Sequence, residues 1–336
     1  MEGRVLNGRT EFLIGGCNIS NHTIFWSSSN EVGYTSDQYI IILRLNSNGQ
    51  LVYDYHIQGD PGEIIYIRSY IYLDNQLLVS VNSNNKINIY HKIDGRYKMV
   101  RTETTGFKFI PEVDLIDGNF YIFSAQDNLS LIRFPALLPN PLEVFEDFAL
   151  GESFPLCCRV CPISGILYLV YGETSGCIFF RSLNDRTAPS LKIKAHKGWV
   201  DAVTCFVREN LIYIVSASHD HTACVWKIEK NVQPRAKSTI VDLLTKHILV
   251  VNNNGVKSEY CVIKDSILAA HGASVTRVEW LESSEFSSRY SALNGVFQNK
   301  ELQTQGPGMR IITLGMDELA IIWEYDPVNC IWNDKV

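Results

Sequence analysis

The chain has 336 residues, 46% of them hydrophobic, with 36 acidic and 30 basic residues and a formal net charge of −6. That is the composition of a globular protein rather than a disordered one, and the interspersed charges lack the basic stripe of a dedicated nucleic-acid binder. No run approaches the roughly 18 apolar residues that cross a bilayer, and Met1–Thr10, with Glu2, Arg4 and Arg9, has no apolar core of a secretory signal.

In chain order, short runs rich in Val, Ile, Tyr and Phe alternate with clusters of Asn, Asp, Gly and Ser, which predicts strands and turns throughout and no long helix. The first is Asn21-His-Thr-Ile-Phe-Trp-Ser-Ser28. Turn signals follow at Asp37, Asn84, Asp127 and Ser175. A fuller unit begins at His196. It reads His-Lys-Gly-Trp-Val-Asp-Ala-Val, then a strand at Leu211–Ser218, a turn at His219–His221 and a strand at Thr222–Lys227. A clipped unit around His247–Ile263 turns at Asn253. A second full unit begins at His271 and takes in Val275–Leu281, Arg310–Leu314, the turn Met316–Glu318 and Leu319–Tyr325. Trp226 and Trp323 stand at the same distance after the turn residues Asp220 and Asp317.

The turns recur at about the 40–45-residue period of a four-stranded blade. The exceptions are a short step into Asn253 and a long step out of it, the latter containing the polar stretch Glu282–Gly308, expected to be a surface insertion. One such sheet cannot bury both faces, whereas sheets stacked radially can. The expectation is therefore an all-β fold, a seven-bladed WD-repeat β-propeller, forming one domain over residues 1–336. Either Thr10–Gly16 or Cys330–Val336 supplies the outer strand of the last blade.

Within the two full units the residue types predict buried hydrogen-bonded chains: His196, Ser216 or Ser218, Asp220 and Trp226 in one, and His271, Thr313, Asp317 and Trp323 in the other. A catalytic reading of His196 with Asp220 has no nucleophile motif beside it. His219 and His221 are too few for a metal, and Cys158-x-x-Cys161 lies in a strand-like run with no second pair. There is no phosphate loop or dinucleotide fingerprint. No catalytic residue, cofactor or metal is therefore expected. The nine cysteines, mostly within apolar runs, read as free thiols of a reducing compartment, cytoplasmic with the nucleus as a second location. The Asn-x-Ser/Thr patterns at Asn18, Asn21 and Asn128 carry no weight without a secretory signal. Loops held by a rigid fold are the usual contact surface. Lys197, His221, Arg277 and Glu318 are expected as a polar rim around the anchor Trp199.

The His196 and His271 units resemble the WD-repeat family, departing from its pattern at Ala195 and Ala270, where it has Gly, and at Lys227 and Glu324, where it has Asp. A narrower resemblance rests on Phe25-Trp-Ser-Ser28, on both full units, and on the stretch from Leu268 to Trp280 with the insertion after it and the trailing Ile331-Trp332. It is to the first propeller of the second-subunit family of Elongator, the tRNA wobble-uridine modification complex. This resemblance implies a non-catalytic scaffold that binds the largest subunit and the catalytic subunit, with nucleic acid met only indirectly. The other readings are an adaptor in a different assembly, such as a tRNA methyltransferase partner or a trafficking coat, and, least favoured, a propeller enzyme.

Overall fold

The computed structural model describes residues 23–335, apart from 28–30, 105–111, 126–127, 137–142, 150–152, 186–187, 209–210, 231–245, 254 and 282–308. The expected insertion Glu282–Gly308 and the strand Thr10–Gly16 lie outside them. The described residues form strands and turns, with no helix.

The chain divides into two compact units. Of the described residues, those up to 104 belong to the first and those from 112 onward to the second. In the first unit, β1 (Ile24–Ser27), β2 (Glu31–Ser36), β3 (Tyr39–Leu45) and β4 (Leu51–Gln58) form one antiparallel meander. A second consists of β5 (Ile64–Tyr72), β6 (Asn75–Asn82), β7 (Lys86–Ile93) and β8 (Arg96–Thr104). Phe25, Ile40, Ile42, Ile67, Leu78 and Tyr90 make a shared core, and the carboxylate of Glu31 on β2 takes Lys92 Nζ of β7 at 2.5 Å.

The described residues of the second unit form four sheets. β9 (Glu112–Ile116), β10 (Asn119–Ala125), β11 (Asn128–Pro135) and β12 (Glu143–Ala149) form the first, and β13 (Pro155–Ile163), β14 (Ile166–Glu173), β15 (Cys177–Ser182) and β16 (Leu191–Lys194) the next. β17 (Val200–Arg208), β18 (Leu211–Ser218), β19 (Ala223–Lys230), β20 (Lys246–Asn253) and β21 (Val256–Leu268) share a five-stranded sheet in the order β17-β18-β19-β21-β20. β22 (Val275–Leu281), β23 (Arg310–Gly315), β24 (Ala320–Asp326) and β25 (Ile331–Lys335) complete the set.

Strand β18 shows why the sheets stack. Successive side chains of a strand point to opposite faces. Ile212 and Ile214 enter the core against the β13–β16 sheet, while Tyr213, Val215 and Ala217 enter the core against the β22–β25 sheet. A run apolar at nearly every position is what a strand buried on both faces requires.

The described strands thus make six sheets. Asp37, Asn84, Ser175, Asp220 and Asp317 all sit between the second and third strands of a sheet, and Asp127 lies outside the described residues. Asn253 corrects the count of turns. It ends β20, which pairs with β21 from Lys246↔Ile263 to Asn253↔Val256, and β21 continues as the neighbour of β19. The 13-residue length of β21 lets it face β20 with its first part and β19 with its last. The supposed clipped blade is a hairpin on the rim of a neighbouring sheet. At the other end of the chain, β25 pairs with β24 and forms the outer strand of its sheet.

Candidate functional site

The first full unit closes a hydrogen-bonded chain. Trp226 Nε1 donates to Ser216 Oγ at 3.1 Å, and Ser216 Oγ lies 2.8 Å from His196 Nε2. His196 Nδ1 lies 3.1 and 3.2 Å from the two Asp220 oxygens. An indole N–H only donates. Ser216 therefore accepts from Trp226 and gives its own proton to Nε2, which leaves the ring proton on Nδ1, facing the carboxylate. A neutral imidazole satisfies every partner. Consistently, burial holds the His196 pKa below its ordinary value against the opposing pull of Asp220.

Asp220 is a hub. Burial pushes its carboxyl up, but donors outweigh it and hold it below the ordinary value: the Thr222 hydroxyl at 2.7 Å, the Lys197 N–H at 2.9 Å and the His196 ring. Lys264, on the neighbouring β21, sets its ammonium 4.9 Å from the Trp226 ring centre and donates to the Ala195 carbonyl at 3.3 Å. Gly176 (φ +75°) accepts the N–H groups of Ala195 and His196, and a Cβ there would lie 2.5 Å from the His196 carbonyl oxygen. Only glycine fits that backbone conformation at that approach.

The second unit repeats the scheme with a threonine. Trp323 Nε1 donates to Thr313 Oγ1 at 2.9 Å, which lies 2.8 Å from His271 Nε2, and His271 Nδ1 lies 3.0 Å from Asp317. Gly272 N–H takes the place of Lys197 N–H, reaching Asp317 at 2.8 Å. His221 and Glu318 occupy the same place in the two turns, both with positive φ, at 70° and 64°. Gly315 stands where the first unit has Ser218, and a Cβ there would lie 2.3 Å from Asp317 Oδ1 and 2.4 Å from His271 Nδ1. Ser218 stands outside the chain itself, its hydroxyl accepting the Asp220 N–H at 3.1 Å.

Ser216, His196 and Asp220 have the connectivity of a hydrolytic triad, but Ser216 is 0% exposed and its oxygen is committed to the indole. A nucleophile must meet its substrate; this hydroxyl meets only protein. Cys158 and Cys161 point into different cores, so the Cys-x-x-Cys pair does not converge. Burial pushes the Cys157 thiol up to about 12 and the Cys224 thiol up to about 11, far from thiolate chemistry. No group of three His, Cys, Asp or Glu side chains among the described residues could hold a metal ion.

What the turns present outward is an apolar surface. Trp199 is 52% exposed, with its ring 5.2 Å from that of His219, and His219 Nδ1 lies 2.5 Å from Asp201 Oδ2. Burial raises the Asp201 carboxyl against the effect of that histidine. The chain continues through backbone contacts: His219 N–H donates to the Trp199 carbonyl, and Met316 N–H to the Ser274 carbonyl. Ser274 Oγ reaches the His219 carbonyl at 3.5 Å. Met316 is 65% exposed and Leu319 51%. Lys197, His221 and Glu318 are exposed beside them. Arg277 departs from the expected rim. It is half-buried on β22, with its guanidinium 3.2 Å from Glu279 Oε1, because an inner charge there finds a carboxylate two positions along the same strand face. Sequence reasoning missed Thr222, Lys264 and the Asp201–His219 pair.

Comparison with known proteins agrees with this geometry. The architecture is similar to that of a WD40 propeller chain in a crystal structure of the mitotic checkpoint complex, with a TM-score of 0.57 and 14% identity over 94% of this chain and 78% of that one. The fold is thus of the WD-repeat propeller kind. Among curated proteins, the chain resembles Elongator complex protein 2. It is 23% identical to the Homo sapiens protein over 192 residues, which are 56% of this chain and 21% of that protein. It is 22% identical to the Dictyostelium discoideum protein over an alignment covering 97% of this chain and 41% of that protein. The chain therefore spans less than half the length of these relatives. No family model matches it.

Proposed function

We propose that this chain is a non-catalytic scaffold of the Elongator second-subunit type, supporting tRNA wobble-uridine modification by holding the largest and the catalytic subunits. The observation that carries the reading is the surface of Trp199, Met316 and Leu319, exposed on turns that the His196 and His271 networks fix from beneath. The polar groups of those networks satisfy one another, so they serve the fold. The apolar side chains above them leave half or more of their surface to solvent. Aromatic and apolar anchors held on a rigid support are what a protein interface uses for most of its affinity. Lys197, His221 and Glu318 supply the polar margin. One ring over residues 1–336 is part of this reading, with the described strands supplying six of its blades. The free thiols of the described cysteines suit a cytoplasmic or nuclear protein.

The test is affinity purification of the tagged chain and of a Trp199→Ala, Met316→Ser double variant from its own cells. The parent should recover the largest and catalytic Elongator subunits, and the variant should lose them while its melting temperature stays within about 2 °C, since exposed substitutions cost about 0.5 kcal/mol or less. Recovery of an unrelated assembly would favour the adaptor reading. Undiminished recovery by the variant would refute the surface.

A further inference from the structure

Two thiols meet between neighbouring sheets of the second unit. Cys161 lies on β13 opposite Tyr168 of β14, and Cys205 lies on β17 opposite Ile214 of β18. Cys161, Tyr168 and Ile214 belong to one core, and Cys205 packs against it. Two sulfur contacts run between these first strands. Cys157 Sγ donates to the Val200 carbonyl at 3.4 Å, and Cys205 Sγ donates to the Val160 carbonyl at 3.5 Å. The second contact sets the Cys205 sulfur against the peptide that leads into Cys161.

With its proton on that carbonyl, Cys205 presents sulfur lone pairs to the Cys161 thiol. The resulting hydrogen bond, with burial added, pushes the Cys161 thiol well above its ordinary value. The thiols of Cys157, Cys224 and Cys330 go to backbone carbonyls instead, those of Val200, Ala195 and Pro327. Cys161 and Cys205 are not linked to each other. They differ in access: Cys161 is 0% exposed and Cys205 is half-buried. A thiol that an oxidant can reach, with a second thiol behind it to resolve the product, is the arrangement of a redox-sensing pair. Cys161 is too firmly protonated to react with an oxidant from solution. Contact with an oxidised Cys205 replaces that encounter with a step inside the protein.

We propose that Cys205 and Cys161 are a peroxide-responsive pair that closes into a disulfide between β13 and β17. The Cys205 sulfur attacks one peroxide oxygen, the O–O bond breaks, and the departing hydroxide takes up a proton as water. Cys205 is then a sulfenic acid. The Cys161 sulfur attacks the Cys205 sulfur, the S–O bond breaks, and the leaving hydroxide takes the Cys161 proton as a second water. Two thiols give up two electrons and two protons, and one peroxide becomes two waters. A small dithiol reverses the reaction by exchange. The bond joins two sheets that otherwise meet through non-covalent contacts and restricts the unfolded chain. None of this depends on the partners proposed for the Trp199 surface.

The experiment treats the reduced whole chain with a few equivalents of hydrogen peroxide, blocks remaining thiols with N-ethylmaleimide, and maps peptides by mass spectrometry without reductant. The expected result is a Cys161–Cys205 linked peptide pair that dithiothreitol abolishes, with Cys157 and Cys158 unblocked in the same sample as the sign that the fold stayed closed. The linked chain should melt at a higher temperature than the reduced one. In Cys161→Ser, Cys205 should persist as a sulfenic acid and take up dimedone; in Cys205→Ser, Cys161 should take up none. Oxidation of Cys205 to the sulfinic acid with no linked pair overturns the proposal. So does a pair that forms only where Cys157 and Cys158 have become reactive. The parent chain decides the matter even where a serine variant folds poorly.

Discussion

Arg159 Nη2 and Glu279 Oε1 lie 2.9 Å apart although one belongs to β13 and the other to β22, with all of β17 between them in the chain. The same guanidinium pairs with Glu112 of β9, and Asp114 Oδ2 accepts the Val160 N–H at 2.7 Å. Glu279 in turn accepts from Arg277 and from the Thr204 hydroxyl. One buried cation therefore ties together first strands from all four sheets of the second unit.

Removing that cation alone should be severe. Arg159→Leu leaves Glu112 facing burial without its counter-charge, and breaking a buried pair from one side costs about 3–5 kcal/mol. Adding Glu112→Gln should recover part of the loss. Urea melts of the two variants check this, and a single variant as stable as the parent would contradict it.

The paired networks predict a different pattern. Ser216→Ala orphans the Trp226 N–H and His196 Nε2, and Asp220→Ala orphans His196 Nδ1 and the Lys197 N–H. Each should cost about 1–3 kcal/mol. Ser218→Ala, which removes only an acceptor for the Asp220 N–H, should cost less. Thermal unfolding ranks the three.

Acid should destabilise the fold in two stages. The folded His196 pKa lies below its unfolded value of about 6.5, so stability present above that pH is lost as the pH falls beneath it. The Asp220 carboxyl is also depressed on folding, and its contribution, present above about 3.9, is lost as the pH falls further through its folded value. The melting temperature should drop between pH 7.5 and 5, and His196→Asn should flatten that drop. A melting temperature that rises on acidification would reverse the assignment.

The thiols should divide sharply in reactivity. Cys330 is exposed, whereas Cys157, Cys158, Cys161 and Cys224 are buried, with the thiol of Cys161 pushed up by its hydrogen bond with Cys205 and by burial, and the other three chiefly by burial. Alkylation at neutral pH followed by peptide mapping should find Cys330 modified in the native protein and the four buried cysteines modified only after unfolding.

The networks were readable in the sequence because they use rare residue types at fixed places: a His before the first strand, an Asp in the turn, a Trp on the third strand. Ser216 and Ser218 could not be separated that way. Two residues apart on one strand, they share a face, and only the register Ser216↔Cys224 shows which one meets Trp226. The reading of a separate blade at Asn253 failed for a related reason. A polar turn between two apolar runs looks alike whether it lies inside a blade or at its rim, and pairing with β19 decides the matter. The Arg159 cluster left a faint signal, a single cation inside Leu156–Ile163, but its acids come from distant segments.

Gly315 has a consequence for how freely the two repeats could exchange parts. Apart from the Thr222 hydroxyl, whose place Leu319 takes, the networks match donor for donor, yet the first tolerates a side chain at this place, Ser218, and the second holds its carboxylate and imidazole where that side chain would stand. A turn transplanted from the first repeat into the second would carry every recognisable residue of the motif and still fail at position 315. Each repeat has become a bespoke fitting, so the tandem chain cannot readily be shuffled, lengthened or shortened by recombination between its own units.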